Sequence, residues 1–73
     1  MSDTKRLKHE IGHSLDNSAG KLKKYGIKDP ALDKNIKQAR TFLRRDFVPQ
    51  AAALASEIAE DVNTAVKATI SNK

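Results

Sequence analysis

This chain has no cysteine and no tryptophan, and among its 73 residues only two Phe, one Tyr and two Pro. Without cysteine neither a disulfide nor a thiolate-bound zinc can staple so short a chain, and a reducing compartment is the expected setting. The scarcity of aromatics limits bulky apolar area, in a length that buries only roughly 60% of the surface its extended chain exposes. Cohesion must come from helix packing or from a partner chain. No apolar run approaches the roughly 20 residues needed to cross a bilayer, and the basic start, MSDTKRLKHE, is not followed by the apolar segment of a signal peptide. The chain reads as one complete cytoplasmic domain, residues 1–73. It also lacks a Gly-rich phosphate loop, a calcium loop and any Ser/His/Asp or Cys/His arrangement, so neither an enzyme nor a cofactor is expected.

What the sequence does hold is charge, unevenly spread. Residues 1–46 carry twelve Lys and Arg against six Asp and Glu, and residues 47–73 carry two against three. The net charge of +5 favours an acidic partner such as nucleic acid, an anionic membrane or an acidic protein surface. A solvated basic surface that serves solubility alone has the same composition.

Apolar residues recur at helical spacing in three stretches, which predicts an all-α, three-helix domain with helices over about 4–25, 30–45 and 48–70. In the first, Ser2, Asp3 or Thr4 offers a cap, and Leu7, Ile11, Leu15, Leu22 and Tyr25 form the apolar side with Ser14, Ser18 and Ala19 beside them. Gly12 and Gly20 lower helix propensity there and predict a frayed or bent middle, while also permitting close approach. Lys21, Lys23 and Lys24 suit the C-terminal end of the helix dipole, and Gly26 can take a left-handed cap with Ile27 folding back.

The second helix starts strongly at Asp29 and Pro30, and the short connection before it makes it antiparallel to the first. Winding it at about 100° per residue places Leu32, Ile36, Ala39, Leu43 and Phe47 on one edge, with Lys34, Lys37, Thr41, Arg44 and Arg45 opposite. Pro49 predicts a break at residues 45–48 with Asp46 capping a third helix; one kinked helix is the alternative. In the third stretch Leu54, Ile58, Val62, Ala65 and Val66 form a stripe backed by Ala51 and Ala55. Alanine on a contact side gives close packing but little apolar area. A lone three-helix unit is then marginal, and self-association is expected, as a homodimer with its seam on Ala51, Leu54, Ala55, Ile58, Val62 and Ala65. The tail from Ser71 to Lys73 is expected to fray.

One segment matches a chemical motif. His9, Glu10, Ile11, Gly12 and His13 spell HEIGH, which resembles the H-E-x-x-H signature of zinc metalloproteases, where two His one turn apart bind zinc and the Glu is general base. The longer form of that signature would need Gly at 16 and His at 19, where this chain has Asp16 and Ala19. A third ligand would have to be Asp16, Glu57 or Glu60, and both His fall on the polar arc of the first helix. His9 and His13 are therefore weak metal candidates, and an HExxH-type zinc site is the remote reading.

Binding remains. The expected function is a small helical interaction protein, an inhibitor, immunity factor or adaptor, that docks a basic helical face on a larger acidic protein. The residues expected to carry it are Lys34, Lys37, Arg40, Arg44 and Arg45, joined by Lys21, Lys24 and Lys28. The alternative is a nucleic-acid binder using the same face on phosphates. Against it, the third helix carries acids and alanines where base-reading side chains would stand, and Phe42 and Tyr25 are too few for a stacking platform. A basic amphipathic helix lying on an anionic membrane is weaker still, because the second helix has little bulky apolar surface to insert.

Overall fold

Three helices follow one another in the chain: α1 (Asp3–Lys24), α2 (Pro30–Arg44) and α3 (Val48–Ser71). They come from a computed structural model that describes residues 3–71. α2 runs back along α1, and α3 packs against both more extensively than they pack on each other. The result is an elongated bundle of 46 × 21 × 16 Å. No helix among the described residues is long and apolar enough to cross a membrane.

Local chemistry explains where each helix begins and ends. Ser2, a candidate cap of α1, lies outside the described residues, and Asp3 and Thr4 are already helical. At α2 the extended backbone of Asp29 lets its carboxylate accept the amides of Ala31 at 3.0 Å and Leu32 at 3.3 Å, with Pro30 at the first helical position. α1 and α2 end in the same way. The Ile27 amide donates to the Leu22 carbonyl at 2.8 Å and Gly26 to Lys23 at 3.2 Å; Phe47 donates to Phe42 at 2.9 Å and Asp46 to Leu43 at 3.3 Å. Both are Schellman motifs, with a left-handed residue between helix and return: Gly26 at φ 66° and Asp46 at φ 61°. The apolar contact that accompanies the motif is present in the second, where the rings of Phe42 and Phe47 lie 6.2 Å apart.

This second turn corrects one expectation. The break falls where Pro49 places it, and α2 and α3 are separate helices. Asp46, however, closes α2 rather than capping α3, whose first turn is opened by the Phe47 carbonyl accepting from Ala51 at 2.9 Å. Of the tail from Ser71 to Lys73, Ser71 ends α3 and the other two residues lie outside those described.

The core is Ile11, Leu15 and Leu22 of α1, Leu32, Ile36 and Ala39 of α2, and Val48, Ala51, Ala55, Ile58 and Val62 of α3. Leu43 and Phe42 pack at its edge. Three residues placed on apolar edges by periodicity instead face solvent: Leu7 at 42% exposure, Tyr25 at 37% and Phe47 at 45%. Tyr25 and Phe47 lie beyond the ends of their helices, so the helical period no longer governs them. Ser18 takes a buried place in α1, and among the described residues no buried side-chain N or O atom lacks a hydrogen-bond partner. α1 is continuous through both glycines. A Cβ on Gly12 would meet Leu43 only at ordinary contact distance, 3.9 Å, and one on Gly20 would meet nothing within 4 Å, so neither marks a close approach.

The expected dimer seam is corrected by the same core. Ala51, Ala55, Ile58 and Val62 are buried within the single chain, and Leu54 and Ala65 are partly covered. The stripe has its partners in α1 and α2, because a third helix that closes a bundle must spend its apolar side on the first two. Ile58→Asp should therefore unfold the chain, not release a folded monomer. A lone carboxylate at a site with 0% exposure costs more than the few kcal/mol that hold a domain this small, and loss of the helical circular dichroism signal at 25 °C would record it. Gly20→Ala, into open space on a helix, should stabilise by roughly 0.5–1 kcal/mol in urea unfolding at unchanged m-value. Asp46→Gly relieves a left-handed backbone at the cost of one exposed ion pair, and a net gain of about 0.5 kcal/mol is expected; Asp46→Asn, which removes only the charge, should stay within about 0.5 kcal/mol of the parent.

Candidate interaction surface

The basic residues proposed from the sequence do not form one patch. Lys34 and Lys37 of α2 and Arg44 at its end lie on the side turned away from the core, with Arg45 as the C-cap. All four are exposed, and among the described residues none is in a salt bridge. At about 1.5 Å per residue the row from Lys34 to Arg45 runs roughly 16 Å along α2. Within it stand the uncharged Gln38 and Thr41, whose hydroxyl donates back to the Lys37 carbonyl at 3.0 Å. Arg44 and Arg45 sit where the helix dipole favours cations, which helps to hold two adjacent guanidinium groups without a carboxylate.

The other predicted members are placed elsewhere. Arg40 forms the inner border of the row, its Nη2 donating to Asp16 Oδ1 of α1 at 3.0 Å. Lys21 is turned towards α3, where its Nζ donates to Asn63 Oδ1 at 3.2 Å. The Lys24 ammonium lies 5.7 Å from the centre of the Tyr25 ring, and Lys28 is exposed in the turn before α2. Two of the eight are thus committed to contacts with another helix, and Lys21 belongs to a different side of the bundle from the row.

Sequence reasoning missed the ties that separate these groups. Arg40 with Asp16 and Lys8 with Asp46 are ion pairs that cross from α1 to α2 and its closing turn. A signal for them was present: in an antiparallel pair, facing residues have numbers of nearly constant sum. The two ion pairs and the contact of Gly12 with Leu43 have sums that agree to within two, 54, 56 and 55. With side chains this exposed, each pair contributes at most about 1 kcal/mol. Their effect here is to remove two cations from the free surface.

The HEIGH segment lies on α1. His9 and His13 are exposed and adjacent, with Nε2 atoms 3.1 Å apart and ring centres 4.5 Å apart, nearly perpendicular. Glu10 turns the other way and lies 3.7 Å from Arg6. Of the third ligands considered, Asp16 is held by Arg40, and Glu57 and Glu60 are exposed on α3. Among the described residues no group of three or more His, Cys, Asp and Glu stands close enough to hold a metal ion. A groove of about 370 Å³ between α1 and α3 is lined by Glu10, His13, Ser14, Ser18, Lys21 and Asn63 among others, and among the described residues no side-chain hydrogen bond joins either serine to Glu10 or His13. No protein-family model, curated protein or solved structure matches this chain.

Proposed function

We propose that this chain is a non-enzymatic docking module whose α2 presents a linear cationic row, Lys34, Lys37, Arg44 and Arg45, to an acidic surface on a larger protein. The observation that carries the reading is the absence, among the described residues, of salt bridges along that row, in a molecule that has acids available and uses them on neighbouring cations. Asp16 and Asp46 engage Arg40 and Lys8, leaving the outer edge of α2 with unspent charge. An acidic partner would complete those four cations, steer its own approach and set the register of docking along the helix. Arg44 and Arg45 can each grip a carboxylate with two parallel hydrogen bonds, which a lysine cannot.

A protein partner is favoured over nucleic acid by what accompanies the row. Phe42 packs against the core and Tyr25 lies under Lys24, which leaves Phe47 as the exposed ring near Arg44 and Arg45, too little for a platform on which successive bases stack. α3, the helix that would follow a turn into a groove, spends its apolar side on the core and carries Glu57, Glu60 and Asp61 on exposed positions.

The test is capture from a lysate of the source cell, with the parent chain and a Lys34→Glu, Lys37→Glu, Arg44→Glu, Arg45→Glu variant as baits. All four positions are exposed, so the variant should keep its helical signal. An acidic protein retained by the parent and bound at least ~10-fold more weakly by the variant is the expected result. A Lys21→Glu, Lys24→Glu control, on α1, should retain it. Binding of the parent to unrelated 20-base-pair duplexes, falling steeply with salt and lost in the variant, would move the function to nucleic acid.

A further inference from the structure

The pair of histidines on α1 is used neither by the core nor by the cationic row. We propose that His9 and His13 form a bidentate imidazole site for one borderline divalent metal ion, Cu²⁺, Ni²⁺ or Zn²⁺, with solvent filling its remaining positions. This differs from the protease reading of the HEIGH segment. It needs no third protein ligand, no catalytic role for Glu10 and no substrate cleft.

Geometry carries the proposal. Residues four apart on a helix share a face, and here both side chains have turned so that Nε2 meets Nε2 at 3.1 Å. A metal bound at about 2.0–2.1 Å from each of two imidazole nitrogens, with an angle between 90° and the tetrahedral value, requires those nitrogens to be about 2.8–3.4 Å apart. The observed separation lies inside that interval. Without metal the same contact is an N–H···N hydrogen bond, one ring donating and the other accepting. On binding, the donating ring releases its Nε2 proton to water and takes one up at Nδ1, a change of tautomer with no net loss of a proton, so both rings stay neutral with N–H at Nδ1 and both Nε2 lone pairs face the ion.

The surroundings admit a cation. Lys8, His9, Gly12, His13 and Asp16 line a shallow hollow of roughly 320 Å³, in which Gly12 contributes no side chain. Two of the positive groups around it already have carboxylate partners, Lys8 with Asp46 and Arg40 of α2 with Asp16, while Lys5, one turn before His9, is exposed and reaches into solvent. Repulsion of an incoming dication is reduced accordingly. Imidazole ligands suit this class of ion, whereas Mg²⁺ and Ca²⁺ call for oxygen donors.

The probes are CuCl₂, NiCl₂ and ZnCl₂ titrated by calorimetry into the full, untagged chain, with MgCl₂ as control. Shifts of the imidazole ring resonances report the site directly. Expected are one ion per chain, affinities in the order Cu²⁺ above Ni²⁺ and Zn²⁺, ring-proton shifts at His9 and His13, and no response to Mg²⁺. His9→Ala and His13→Ala, both at exposed positions, should each keep the helical signal and weaken binding by at least ~10-fold, no less than the loss of a ring-orienting partner costs at other metal sites. Equal affinity in either variant, an equal response to Mg²⁺, or half an ion per chain would overturn the proposal. The row on α2 is not involved, so reversal of Lys34, Lys37, Arg44 and Arg45 should leave metal binding intact, whatever its effect on a partner.

Discussion

The structure depends on the breadth of the apolar side of α3. Ala51, Ala55, Ile58 and Val62 face the common interior, while Ala52, Leu54 and Val66 flank them and rest on the core from either side. A helix with one narrow stripe can cover one neighbour; a wider one can seat itself in the groove between two. α3 does the second, and it can come close to both because so many of its contact residues are alanine. α1 answers with small residues of its own, Ser14 and Ser18, where it meets α3. Contact through these small side chains then supplies by dispersion part of what the shortage of large aromatic side chains withholds.

Given that packing, the turns have little freedom left. Each must reverse the chain within a few residues and deliver an apolar side chain back to the helix it has just left. The two Schellman motifs do this with Ile27 and Phe47, and each spends one left-handed residue. Gly26 adopts that backbone freely. Asp46 adopts it at some cost, and its carboxylate, facing back across the bundle, takes up Lys8. The turn, the ion pair and the antiparallel register of α1 and α2 are therefore one arrangement viewed at three scales.

Much of this was legible in the residues. The helix count, the start at Asp29 and Pro30, the stop at Gly26 and the break before Pro49 all follow from chemistry confined to a few neighbouring positions. What periodicity could not supply was the destination of each apolar face. The stripe on α3 reads the same whether its partner is a second copy or the chain's own α1 and α2, and only the three-dimensional closure of the bundle decides. The limits of the period also explain Tyr25 and Phe47: the 3.6-residue repeat that places a side chain holds only while the helix continues. For the basic residues, the exposure of Lys34, Lys37, Arg44 and Arg45 was legible from the helical period, but their separation from Lys21 and Arg40 was not, because pairing across helices is invisible until the register is known.

That register bears on the functional reading as well. Were the cations of this chain present only for solubility, a scattered placement with interspersed acids would serve, and Asp16 and Asp46 would have no reason to choose among them. Instead the carboxylates at 16 and 46 engage Arg40 and Lys8 between α1 and α2, and beyond the exposed Asp33 at its start the outer edge of α2 keeps four cations with a glutamine and a threonine among them. Ion pairs this exposed add little to stability. They do sort the positive charges into a set held against the bundle and a set offered outward along one straight helix. The docking surface proposed above would use that sorting, since a partner reads a fixed pattern of charge more selectively than it reads net charge.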